Sequence, residues 1–133
     1  MFNRILITVI VFLSVVSGAV SVSAATKPRN PIVTLSLPVR EEFACVMWAE
    51  SRSTLMHPNL GDNNASGGSS GVFQIIASTW NEWAPRVGIH VPVWRASYYQ
   101  QSLVAVEIWR NDGFGPWSGD SCFHRNANVY DAP

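Results

Sequence analysis

Phe43-Ala44-Cys45-Val46-Met47-Trp48-Ala49-Glu50-Ser51 leads, through a loop rich in Gly, Ser and Asn, into Gly71-Val72-Phe73-Gln74-Ile75 and then Ser78-Thr79-Trp80. At helical spacing Phe43, Val46, Met47 and Glu50 share one face, so a helix here carries its carboxylate on the side of its apolar residues. Two readings of Glu50 follow. In one it ends an amphipathic helix and sits in water at the last turn. In the other an apolar wall disfavours its ionised form, raises its pKa and leaves it a proton to donate near neutral pH.

The intervening loop from Ser53 to Ser70 is too polar and Gly-rich to be a core element. Asp62, Asn64, Ser66 and Gly67 occupy the first, third, fifth and sixth places of a calcium-loop pattern. Its twelfth place is Phe73, where a bidentate Glu is needed, so calcium binding is rejected. Asp62 stays open as a second carboxylate for the site or as the organiser of a turn through its own backbone. Residues 71–76 are expected to form a short strand or an extended turn. Thr79 and Glu82 have the spacing of a capping box, which gives Glu82 a local task at a helix start, and Pro85 ends that helix early.

Val87 to Arg95 reads as a loop carrying His90 and Trp94. Ser97 and Gln100 form a second capping-box pair, opening a helix from Tyr98 to about Asn111 that Asp112-Gly113 stops. From Leu103 to Trp109 only Glu107 is charged, so this helix is apolar nearly all round and runs through the core. Glu107 either partners a buried polar group or lies on the one wet stripe. Upstream, Pro38 suits a first helical turn, and Glu41 and Glu42 near the start interact well with the helix dipole. Residues 26–37 read as a linker or short extended arm, and 123–133 as a poorly ordered tail.

Arg4, the apolar run from Ile5 to Val16 and the small residues Ser21-Val22-Ser23-Ala24-Ala25 stand in the order of a secretory signal peptide. The run is short for a spanning helix and lacks a basic stop-transfer flank, so residues 1–25 are expected to be removed, leaving a soluble, exported protein of one domain. Loss of Arg4 leaves eight Lys and Arg against nine Asp and Glu, a net charge of about −1. No strong field then draws the chain to nucleic acid or anionic lipid, and binding must come from a shaped site. Two cysteines in an exported chain are most simply one disulfide, Cys45 to Cys122. The alternative, a Cys nucleophile, has no Cys-Gly or Cys-x-x-Cys context in its favour. His57, His90 and His124 lack metal-ligand spacing, so no metal site is expected.

Four segments in order resemble the lysozyme-like domains of lytic transglycosylases, goose-type lysozymes and, most closely, resuscitation-promoting factors. They are Glu50-Ser51 at a helix end, the Gly71-Val72-Phe73-Gln74 turn, Ser78-Thr79-Trp80, and Gly113-Phe114-Gly115-Pro116-Trp117 ahead of Cys122. The resemblance covers about Arg40 to Cys122. It departs in two places: Ala49 stands where resuscitation-promoting factors have a Cys, and the loop from Glu50 to Gly71 is longer.

That likeness implies a mainly α, lysozyme-like (α+β) domain over residues 38–122 that cleaves the β-1,4 bonds of peptidoglycan without a cofactor. Glu50 is its catalytic acid. Ser51, Gly71, Phe73, Gln74, Trp80 and Trp117 are its substrate-binding candidates, with Gln74 and the backbone around Phe73 holding N-acetyl and hydroxyl groups. Trp80 and Trp117 are expected to stack on sugar faces, whereas Trp48 and Trp109 on helices are expected to pack in the core. The expected partner is the glycan strand, met by a monomer outside the cell or at its wall. A transglycosylase needs Glu50 alone, a hydrolytic muramidase adds a second carboxylate, and a wall-binding module would keep the cleft without turnover.

Overall fold

The computed structural model describes residues 27–60, 68–119 and 122. Residues 1–25, Asp62, His124 and the tail 123–133 lie outside the described residues. Three α-helices, α1 (Leu37–Ser51), α2 (Ala77–Trp83) and α3 (Tyr98–Asp112), dominate, with short 3-10 turns between them. One small antiparallel hairpin joins β1 (Ser69–Ser70) to β2 (Ile75–Ile76), with Ser69 opposite Ile76 and Ser70 opposite Ile75. The mainly α class with a minor β element is therefore as the sequence predicts.

Helix α3 is the central element. Its capping box is complete: Gln100 N–H donates to Ser97 Oγ at 3.3 Å and Ser97 N–H to Gln100 Oε1 at 2.9 Å. Gly113, at φ +61°, closes the other end. Between them Gln101, Ser102, Val104, Ala105, Val106, Ile108 and Trp109 are all buried. Glu107 is on the wet side, half-buried, accepting at 3.3 Å from Asn111 one turn on.

Helix α1 packs one face only. Pro38 sits in its first turn, as expected, and Phe43, Val46 and Met47 are buried. Phe43 is the hub of an aromatic cluster, with edge-to-face neighbours Phe114 at 4.8 Å, Phe73 at 6.1 Å, Trp109 at 6.2 Å and Trp117 at 6.3 Å between ring centroids. Such pairs add about 0.5–1.5 kcal/mol each beyond their area burial. Together they join α1, the hairpin turn, α3 and the 3-10 turn Gly115–Trp117 into one core.

Several expectations are corrected here. Trp48 is 54 % exposed rather than in the core, because it projects about 140° round the helix from Phe43 at 3.6 residues per turn. Arg52 lies over its ring at 5.5 Å. The helix begins at Leu37, so Glu41 and Glu42 stand beyond its first turn, and Glu42 is buried at 3 % exposure. Residues 31–34, within the stretch that reads as a linker, form a 3-10 helix whose Ile32 is fully buried. Asn30 caps it by accepting from Ile32 N–H at 2.9 Å, and its Nδ2 donates to Ser102 on α3 at 2.9 Å. The packed domain thus begins before residue 38.

The Cys45–Cys122 disulfide is formed, with 5.8 Å between Cα atoms. It ties the chain after Trp117 to α1 five residues before Glu50. Among the described residues no helix is long and apolar enough to cross a membrane.

Candidate active site

The turn between β1 and β2 is Gly71-Val72-Phe73-Gln74 itself. Gly71 takes φ +76°, and a Cβ there would collide with Gln101 Oε1, so conformation and space both require glycine. Gln74 also takes a left-handed φ, +47°, a state that costs a non-glycine residue about 1–2 kcal/mol. Its amide braces the hairpin: Nε2 donates to Gly71 O at 2.8 Å and Oε1 accepts from Ser69 Oγ at 2.8 Å.

Three elements hold this turn from three directions. From α1, the Ser51 hydroxyl lies 2.8 Å from Val72 O and 3.2 Å from Met47 O; its single proton goes to the nearer carbonyl. The Ser53 hydroxyl, 2.6 Å away, then donates to Ser51 Oγ and accepts from Asn59 N–H at 2.7 Å. From α3, Gln101 Oε1 accepts from Val72 N–H at 2.8 Å while its Nε2 donates to Ala96 O at 2.9 Å. From the 3-10 turn that follows α3, Trp117 Nε1 donates to Phe73 O at 3.0 Å.

Glu50, half-buried in the last turn of α1, faces this turn across a cavity of about 270 Å³. The wall is completed by Gln74, Ile75, Ile76, Thr79, Ile108, Pro116 and Trp117. Among the described residues that line the cavity, Glu50 is the one carboxylate. The volume is near the lower end of ligand sites, which run from about 300 to 1,000 Å³. An ionisable group at the edge of an apolar hollow, with an amide, a hydroxyl and an indole nearby, has the composition of a site that orients a polar ligand.

Of the sequence candidates, Glu50, Gln74 and Trp117 meet in this cavity. Ser51 and Gly71 are buried supports of its wall rather than groups open to a ligand. The Phe73 ring is fully buried against Phe43, and the Phe73 carbonyl is engaged by Trp117. Trp80 is 2 % exposed, donates to Val91 O at 2.8 Å and is a core residue. Motif membership located that indole without giving its direction. The Thr79–Glu82 capping box does not form: α2 starts directly off β2 with Ile76 as its N-cap, which places Thr79 inside the helix and on the cavity wall. Glu82 instead pairs with Arg86 at 3.0 Å on the exposed surface. Asp62 lies outside the described residues.

Two contributors are hidden in the sequence. Thr79 has the spacing of a cap, and Gln101 lies within an apolar helix. The one signal for Gln101 is an uncharged amide on a helix whose sequence is apolar nearly all round, which must find partners wherever it points. Comparison of the chain with protein-family models, curated proteins and solved structures gave no match.

Proposed function

We propose that this chain is an exported glycosidase that cuts the β-1,4 bond between the N-acetylmuramic acid and N-acetylglucosamine units of peptidoglycan, most simply as a lytic transglycosylase. One observation carries the reading. Glu50, Gln74 and Trp117, from three of the four resembling segments and far apart in the chain, line one cavity, and Glu50 is the sole carboxylate among the described residues that line it.

In this reading Glu50 donates its proton to the glycosidic oxygen as positive charge develops on the anomeric carbon. The C–O bond breaks and the leaving sugar departs with the proton. The muramic sugar's own hydroxyl then attacks the anomeric carbon and returns a proton to the Glu50 carboxylate, closing an anhydro ring. No water is consumed and no second carboxylate is required. A hydrolase would need a second Asp or Glu as nucleophile or as base for water.

Mass spectrometry of digested peptidoglycan tests the reaction, since an anhydro end lacks the mass of one water relative to a reducing end. Anhydro ends are expected. Reducing ends whose release Asp62→Asn abolishes would make the enzyme a hydrolase with Asp62 as its second carboxylate. Binding to walls with no new ends of either kind would leave a wall-binding module.

A further inference from the structure

On the side of α1 away from Glu50, residues Glu41, Cys45, Trp48 and Arg52 follow one another at intervals of three and four and form a single stripe. Trp48 and Glu50 project about 200° apart round the helix axis, and the hollow along this stripe shares no lining residue with the Glu50 cavity. Ala44 and the Cys45–Cys122 disulfide are too small to fill the space between the longer side chains, and they floor a hollow of about 460 Å³. That volume is larger than the Glu50 cavity and falls within the range of ligand sites, about 300 to 1,000 Å³.

The groups around the hollow are unspent. Trp48 is 54 % exposed, whereas Trp80, Trp83, Trp109 and Trp117 are buried. Among the described residues nothing accepts from the Trp48 indole N–H and nothing pairs with the Glu41 carboxylate. Arg52 lies over one face of the Trp48 ring at 5.5 Å, which leaves the other face open. The hollow thus offers an aromatic surface, an indole and a guanidinium as donors, and a carboxylate as acceptor. Its charges are one of each sign, so it has no net field with which to select an anion or a cation. A ligand with a flat C–H face and a rim of hydroxyls matches this set. The C–H face leaves water for the indole, and each hydroxyl can donate to Glu41 while accepting from Arg52 or the indole N–H. A second copy of the chain fits less well, since a stable contact takes about 800 Å² from each partner and the large apolar side chains exposed on α1 are Leu37 and Trp48 alone.

We infer that this hollow is a second glycan-binding site, in which Trp48 stacks on a pyranose ring and Glu41 and Arg52 hold its hydroxyls. Because it faces away from Glu50, it grips one length of polymer while another is cut and so retains the protein on an insoluble wall. That the polymer is peptidoglycan rests on the proposed function.

Cosedimentation with insoluble peptidoglycan reads the site, in a Glu50→Gln background so that the polymer survives the assay. Trp48→Ala is expected to weaken binding about tenfold, the scale of losing one aromatic anchor, and Trp48→Phe, which keeps a ring, to weaken it less. Glycan strands stripped of their stem peptides are expected to compete for the Trp48-dependent part of the binding. With Glu50 intact, Trp48→Ala should slow the release of new ends from insoluble wall while leaving the melting temperature, and kcat and KM on a soluble peptidoglycan tetrasaccharide, close to wild type. Equal wall binding with and without Trp48 overturns the inference, as does competition by free stem peptides in place of glycan strands. A homodimer in sedimentation velocity that Trp48→Ala abolishes would make the stripe a contact between copies and overturn it as well. Trp48-dependent binding to glycan strands with no new ends would end the glycosidase reading and leave the site standing; new ends with Trp48-independent binding would do the reverse.

Discussion

Helices α1 and α3 are each fifteen residues long and contribute to the same core, yet they do opposite work. Helix α3 is capped at both ends, buries seven of its fifteen residues, and touches the cavity through Ile108. Helix α1 has no side-chain cap, leaves Leu37 and Trp48 in water, and ends on Arg52 at φ +59°, a conformation that costs a residue with a side chain about 1–2 kcal/mol. It also carries Glu50. In the proposed reading the well-capped helix is scaffold, and the helix with the strained end presents the chemistry. Of the two non-glycine residues with positive φ among those described, Gln74 lines the Glu50 cavity and Arg52 follows α1 two residues after Glu50.

The largest expected effect separates the two helices by their half-buried carboxylates. Glu50→Gln on α1 is isosteric but has no carboxylic proton, and should lower activity on purified peptidoglycan by about 100- to 10,000-fold, the usual worth of a general acid. Glu107→Gln on α3 should keep activity, because its carboxylate faces Asn111 on the exposed side. Turnover assays with melting curves on both variants check this. Wild-type turnover by Glu50→Gln would remove Glu50 from the mechanism.

Next in size is the covalent tie of α1. Cys45–Cys122 closes a loop with a sequence separation of 77 residues. In the chain-entropy treatment such a closure stabilises by about 4 kcal/mol. Reduction should therefore lower the melting temperature by many degrees. Non-reducing peptide mapping checks the pairing itself, and recovery of two free thiols from the native protein would contradict it.

The same contrast explains how far the sequence could be read. Helix α3 was legible because its signals are local: a cap pair three residues apart, an apolar run and a terminal Asp-Gly. The face of α1 bearing Phe43, Val46, Met47 and Glu50 was legible from spacing alone. Direction was not. Trp48 and Trp80 exchanged their expected environments, since an indole's worth as core or contact surface depends on neighbours distant in sequence. The supports of the turn were also hidden. Ser51 meets Val72 across 21 residues and Gln101 meets it across 29, and no local pattern records such a bond. Thr79 misled for a related reason: its spacing to Glu82 fits a cap, but the helix had already begun two residues earlier, straight off the hairpin.

Gln101 links scaffold to site, and its removal measures how much α3 contributes to the cleft. Gln101→Leu leaves Val72 N–H and Ala96 O without their side-chain partners in the interior, which costs about 1–3 kcal/mol for an unsatisfied buried group. Thermal or urea unfolding should show that loss. Activity measured well below the melting temperature should fall as well, because the turn carrying Gln74 loses one of its three anchors. A destabilised variant with unchanged kcat and KM would show that Ser51 and Trp117 hold the turn unaided.

The smallest effect tests the difference in capping directly. Ser97 precedes α3 and Ser36 precedes α1, each at the N-cap. The Ser97 hydroxyl accepts from Gln100 N–H, whereas Ser36 makes no side-chain cap bond. Ser97→Ala should cost about 1 kcal/mol, the typical value for a lost N-cap. Ser36→Ala should cost a few tenths at most, since no bond is removed and Pro38 already fixes the first turn of α1 without needing an N–H donor. Paired unfolding curves decide it, and the order of the two losses matters more than their size. Equal losses would mean that Ser36 caps α1 in solution, so that the contrast between the two helices would rest on their C-terminal ends, where α1 closes on Arg52 at φ +59° and α3 on Gly113 at φ +61°.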